Sequence, residues 1–297
     1  MPKVFNPRVV QLAHVAMAVA DIGRAQDHYA AVLGLRATAR YDGAVFLSVG
    51  AAHHDIILRA ADEKAFLGLG YQLPPDADLG AFVQDVRAFG LAADRKSDSH
   101  PGIADLVEVE GPGGNMFQFF TAADTGPGFG THGVAPLRLG HVAVVSPEAA
   151  RLRKFYEDFL GFHYTDDIGG VATFLTCNRD HHVVNLVGLP ESRLHHIAFE
   201  LAGNSEHATA CDRLSLADVP TLWGPARHCA GHNLAGYHYD PDRVMIELYT
   251  QMDVYLPALN QFEPRPWHKQ MPLRPQSWRP DQMTNWDTVY GFDLVTA

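Results

Sequence analysis

The sequence predicts an α+β protein made of four βαβββ modules in two tandem domains. Three observations carry that expectation. A pattern Leu-x-His-[Val/Ile]-Ala occurs at 12–16, 139–143 and 194–198, and a weaker copy at 66–70 has Gly68 in place of the histidine. Residues 12–35 align with 139–162 at a constant offset of 127, matching His14 to His141 and Tyr29 to Tyr156. The copies at 139 and 194 stand 55 residues apart, so each half divides again. Internal repeats of this kind mark duplicated supersecondary units.

The elements of the third module follow in order. The pattern opens a strand at 137–145. Apolar spacing at Leu152, Phe155, Tyr156, Phe159 and Leu160, stopped by Gly161, predicts a helix over 147–160. Short Val/Ile/Phe/Thr-rich runs predict strands at 162–168, 171–177 and 181–187, broken by Gly169-Gly170 and Asn178-Arg179-Asp180. The fourth module repeats the plan: a strand at 194–201, a helix near 204–217, and strands ending at 243–250. In the N-terminal half, His53-His54 matches His181-His182 at offset 128, and 111–118 matches 240–247 at offset 129. One-residue insertions of that kind are what loops tolerate. The expected domains are 1–125 and 136–255, joined by the Gly/Pro/Thr-rich segment 121–138. Residues 256–297 carry many prolines with Trp267, Trp278 and Trp286, and read as an irregular cover packed on the body.

Composition narrows the function. The chain has 297 residues, 47% of them hydrophobic, and a net charge of −11. That length supports one large or two ordinary cores. Without a basic run, nucleic acid and anionic membranes are poor partners. No apolar stretch is long enough to span a bilayer, and Met-Pro-Lys-Val-Phe-Asn-Pro lacks the apolar core of a signal peptide. Three cysteines, Cys177, Cys211 and Cys229, fit no CxxC spacing, which points to free thiols and a cytoplasmic location. Cys177 and Cys229 read as packing residues.

The chemistry lies in the repeat. Residues i and i+2 of a strand share a face, so His141 and His196 each stand beside a small alanine that leaves room for an ion or ligand. Alignment places His196 in the pattern position and predicts that His195 faces the other way. Glu247, in the apolar run 243–249, is a carboxylate that is costly to bury without a partner. A metal ion would be that partner, and two histidines with one carboxylate suit non-haem Fe(II). The N-terminal half keeps His14 but has Gly68 and Gln118 at the other two positions. One half could hold a metal and the other could not.

These residues resemble the type I extradiol ring-cleavage dioxygenases of the vicinal oxygen chelate (glyoxalase–bleomycin resistance–dioxygenase) superfamily. The resemblance is carried by Leu194-His195-His196-Ile197-Ala198-Phe199, by Arg227-His228, and by Tyr237-His238-Tyr239-Asp240-Pro241 followed by Glu247. It covers most of the chain, since that family has two such domains with only the second active. His238 departs from the apolar or aromatic residue usual near the tyrosine. The resemblance implies that each domain is an open mixed-sheet half-barrel around a central cavity, with His141, His196 and Glu247 as metal ligands. It implies Fe(II), with Mn(II) suited to the same triad, a catecholic substrate with O2, and a homo-oligomer. In that family a tyrosine lies ten residues before the glutamate ligand and a histidine nineteen before it. Tyr237 and His228 fit. An acid–base histidine lies fifteen before the second metal histidine. His181 fits, with His182 as the alternative. The implied activity is meta cleavage of a catechol ring in aromatic-compound degradation. Two other readings remain: a glyoxalase-, epimerase- or thiol-transferase-like metalloenzyme of the same fold, and a non-catalytic binding protein of the drug-sequestering kind. His232 and His238 read as loop or outer-face residues, and Phe174 as either core or cavity wall.

Overall fold

The computed structural model describes residues 5–294. Residues 1–4 and 295–297, which end the first domain and the tail, lie outside the described residues. The four modules run in chain order. The first has β1 (Gln11–Val19), helix α1 (Ile22–Asp27), β2 (Arg36–Tyr41), β3 (Ala44–Ser48) and β4 (Ile56–Ala60). The second has β5 (Ala65–Gln72), α2 (Leu79–Ala88), β6 (Ala92–His100), β7 (Ile103–Glu110) and β8 (Met116–Phe120). The third has β9 (Arg138–Val145), α3 (Ala149–Lys154), β10 (His163–Ile168), β11 (Ala172–Thr176) and β12 (Val184–Val187). The fourth has β13 (Arg193–Glu200), α4 (Asn204–Leu216), β14 (Trp223–Arg227), β15 (Leu234–Tyr239) and β16 (Met245–Thr250). The tail adds β17 (Tyr255–Leu256), β18 (Gln261–Phe262) and β19 (Gln276–Trp278).

Each half curls one mixed sheet into a half-barrel, and the second encloses a cavity. The first sheet runs β2-β3-β4-β1-β5-β8-β7-β6, and the second β14-β15-β16-β13-β9-β12-β11-β10-β19. The pattern strands meet antiparallel at the centre of each sheet, β1 with β5 and β9 with β13. The variable second residue of the pattern has a structural meaning. In all four copies it is skipped by the pairing: Ala13, Leu67, Gly140 and His195 are each the extra residue of a β-bulge. The bulge breaks the alternation of faces. His195 therefore does not face away from His196; both are buried, their rings lie 5.0 Å apart, and both line one cavity.

The predicted helix over 147–160 is an α-helix that closes in a π-turn at Phe155–Phe159, and α1 likewise closes at His28–Val32. The π-turns hold the matched tyrosines, and each reaches across to the other half. The Tyr29 hydroxyl donates to Asp240 Oδ2 at 3.1 Å, and the Tyr71 and Tyr156 hydroxyls lie 3.0 Å apart. A single apolar core continues through both halves, from Val15 and Leu58 to Ile197 and Leu248.

The tail is more ordered than an irregular cover. β19 pairs in parallel with β10 and extends the second sheet by one strand. The Arg227 guanidinium sits 3.9 Å above the Trp267 ring. His232 is not a loop-surface residue. It is buried, and its Nδ1 meets Asp253 Oδ2 at 2.8 Å while His268 Nε2, from the tail, meets Asp253 Oδ1 at 2.8 Å. His238 is also buried, 5.4 Å from the His28 ring at the junction of the halves. All three cysteines are free, with Cys177 and Cys229 buried. Among the described residues no helix is long and apolar enough to cross a membrane.

Candidate metal centre

Four adjacent strands place the predicted residues in one row. His141 on β9 pairs with Ala198 on β13, Ala198 with Glu247 on β16, and Glu247 with Tyr237 on β15. The small Ala198 separates the histidine from the carboxylate and leaves space between them. His196, two residues along β13, completes the group. His141 Nε2 lies 3.1 Å and His196 Nε2 3.3 Å from Glu247 Oε2, and all three residues are buried. The His196 contact is too poorly aligned to be a hydrogen bond, so its Nε2 is a buried nitrogen without a partner. The ligand atoms of the three all lie within 4.8 Å of one another, which suits a divalent ion.

The remaining groups hold the carboxylate and face the cavity. Tyr237 Oη donates to Glu247 Oε2 at 2.7 Å, and Asn233 Nδ2 donates to Oε1 at 2.6 Å. His228 Nε2 lies 2.9 Å from the Tyr237 hydroxyl. Burial disfavours the charged Glu247, but His141 and His196 beside it outweigh this and hold its carboxyl well below the usual range. Burial, reinforced by Glu247, pushes the Tyr237 phenol well above 10. Burial also pushes the His182, His196 and His228 imidazoles below 6.5. A cavity opens above this group, and Phe174 forms part of its wall.

The two adjacent histidines point to different places. His182 lines the cavity with its ring 4.2 Å from His141. His181, the predicted acid–base residue, turns away, and its Nε2 meets Asp166 Oδ2 at 3.0 Å. The pair lies in the turn before β12, where strand alternation does not apply. Other contributors went unseen in the sequence. Asn233 sits in an irregular loop with no motif. Gln282, Met283 and Leu294 of the tail also line the cavity, with the Leu294 carbonyl 2.8 Å from His195 Nε2. One signal was readable but unused: His100 precedes His228 by the same offset of 128 that relates the His-His pairs.

The profile of the Glyoxalase/Bleomycin resistance protein/Dioxygenase superfamily matches residues 11–119 and 138–248, most of the chain. The chain belongs to this superfamily. Both matched segments coincide with the two sheets. Among curated relatives, the metapyrocatechase of Pseudomonas sp. strain CF600 is 24% identical over 267 residues, 82% of this chain and 87% of that protein. The homoprotocatechuate 2,3-dioxygenase of Arthrobacter globiformis superposes with a TM-score of 0.80 at 26% identity, covering 97% of this chain and 91% of that one. The Mn(II)-bound glyoxalase of Novosphingobium aromaticivorans has the same fold, with a TM-score of 0.83 at 24% identity over 95% and 92% of the two chains.

Proposed function

We propose that this chain is an extradiol dioxygenase that opens a catechol-type ring with O2 on an iron(II) centre held by His141, His196 and Glu247. One observation carries the reading. Three mutually close donors are buried at the floor of a cavity whose other polar groups are histidines, amides and a phenol. The unpartnered His196 Nε2, 3.3 Å from a carboxylate, is what a ligand nitrogen leaves when the ion is removed. Manganese(II) suits the same donors, and a superfamily relative carries it. When bound, such an ion offers positions for both vicinal oxygens of a catechol and for O2.

The side chains supply the rest. Tyr237 keeps its proton at neutral pH because its pKa is raised, so it can hydrogen-bond an ionised catechol oxygen. His182 is neutral at that pH and can accept a proton from the substrate hydroxyl and later return it. His228, within reach of Tyr237, orients the phenol. Asn233 fixes Glu247 from the opposite oxygen. Gln282, Met283 and Leu294 close the cavity and limit the size of the ring it accepts. The N-terminal domain (1–125) has no catalytic role in this scheme, and the enzyme is a cytoplasmic homo-oligomer. The test is anaerobic reconstitution with Fe(II), then a panel of catechols and air. Oxygen uptake with a yellow ring-opened product is expected. No uptake across single-ring, 3-substituted and biaryl diols would refute the assignment.

A further inference from the structure

We propose that Asp166 and His181 form a relay that fixes the tautomer of His182 and makes it a base. The inference rests on His182 being the cavity's acid–base group and adds two positioning residues behind it. Three donors converge on the buried Asp166. Trp278 Nε1 donates to Oδ2 at 2.6 Å, the Gln276 backbone N–H to Oδ1 at 2.9 Å, and His181 Nε2 lies 3.0 Å from Oδ2. An ionised carboxylate only accepts, so His181 carries its proton on Nε2. A neutral His181 then offers a bare Nδ1. That atom lies 3.0 Å from His182 Nδ1. His182 must therefore donate from Nδ1, which leaves the lone pair on its Nε2. The buried carboxylate thus selects, through one ring, the protonation state of the next.

The other half of the molecule shows what the relay adds. The same adjacent pair exists there, with His53 Nδ1 2.9 Å from His54 Nδ1. The strand register puts Ala39 where Asp166 stands: Ala39 pairs with Phe46 as Asp166 pairs with Phe174. Among the described residues no tail strand docks beside it, because β19 extends the second sheet. The carboxylate and the strand that donates to it occur together, only behind the pocket that has the metal donors.

Asp166→Ala tests this. Without the carboxylate nothing holds the His181 proton on Nε2, so His181 and His182 each become a mixture of tautomers. We expect kcat to fall at least about 10-fold, in the direction of the wrong-tautomer effect seen when the Asp behind a catalytic histidine is changed. KM for catechol and the metal content should stay unchanged. Nitrogen-15 NMR of the Zn(II)-loaded protein should show His182 protonated on Nδ1 in the parent and a mixture in the variant. If Asp166→Ala does not fold, His181→Ala should release the His182 tautomer into the same mixture. Parent His182 protonated on Nε2, or unchanged kcat and spectra in the variants, would overturn the relay. The NMR readout needs no turnover, so an inactive parent would refute the dioxygenase assignment without touching it.

Discussion

The two pockets are built on the same row of four strands and differ in what each position carries. In the C-terminal half the row is His141–Ala198–Glu247–Tyr237. In the N-terminal half it is His14–Gly70–Gln118–Glu108. His14 Nε2 lies 2.9 Å from Gln118 Oε1, and His100, the counterpart of His228, lies 3.2 Å from the same oxygen. The N-terminal half has kept histidines matching His141, His182 and His228 but has an amide, Gln118, in place of the Glu247 carboxylate; its Glu108 pairs with Lys96 instead. The amide oxygen lies within hydrogen-bond reach of both rings. Packing has also closed the way back. A side chain at Gly70 would strike the His14 ring at 2.2 Å, and Gly68 has φ +147, with its missing Cβ position 2.5 Å from the Met116 carbonyl. The first pocket has relaxed into a packed core, whereas the second holds its polar groups apart around open space.

The strongest break in the comparison is His196→Ala. It should lose both bound metal and turnover to background, read by metal analysis and oxygen uptake, while His14→Ala should keep both. Equal losses in the two variants would erase the distinction between the pockets. Next, His182→Ala should lower kcat by roughly 10²–10⁴ with the metal retained, as expected for removal of a general base. Its counterpart His54→Ala should leave kcat unchanged. Converting the first pocket should fail: Gly68→His with Gln118→Glu should bind no second metal and should cost about 1–3 kcal/mol, the scale of forcing a non-glycine residue into a strained backbone region. Urea unfolding and metal counting check both parts. The smallest effect concerns acid. Burial and the nearby His100 lower the His14 pKa to about 3, so the unfolded chain binds that proton first as the pH drops below 6.5. Stability then falls with pH over the window from 6.5 towards 3, by roughly 2 kcal/mol between pH 6.5 and 5 for this group. His14→Phe should flatten that part of the pH dependence, measured by urea midpoints.

Much of this was legible in the sequence, and for a definite reason. Duplication wrote each strand more than once, so the alignment alone paired His141 with His14 and showed Glu247 against Gln118. What the repeat could not show is where alternation fails. His195 sits on a bulge, so counting residues by twos put that ring on the wrong face, and His181 and His182 sit in a turn, where such counting says nothing. The spacing of fifteen selected His181, yet Asp166 draws that ring outward, and Asp166 is fifteen residues earlier on a different strand. Asn233 and the tail residues carry no motif, because each reaches the cavity through contacts made only after the chain has folded back on itself.

The crossed tyrosines make the two halves structurally inseparable. Tyr29 bonds into the C-terminal half and Tyr156 into its partner, over a core with no seam between them. Each half is thus a wall of the other. Cutting the gene between the halves would strip the cover from Tyr156, Phe155 and Phe159 and leave the Asp240 carboxylate without its hydroxyl. The inside of the first half can change without touching these bonds, whereas its back is half of the other domain's foundation and is answerable to both.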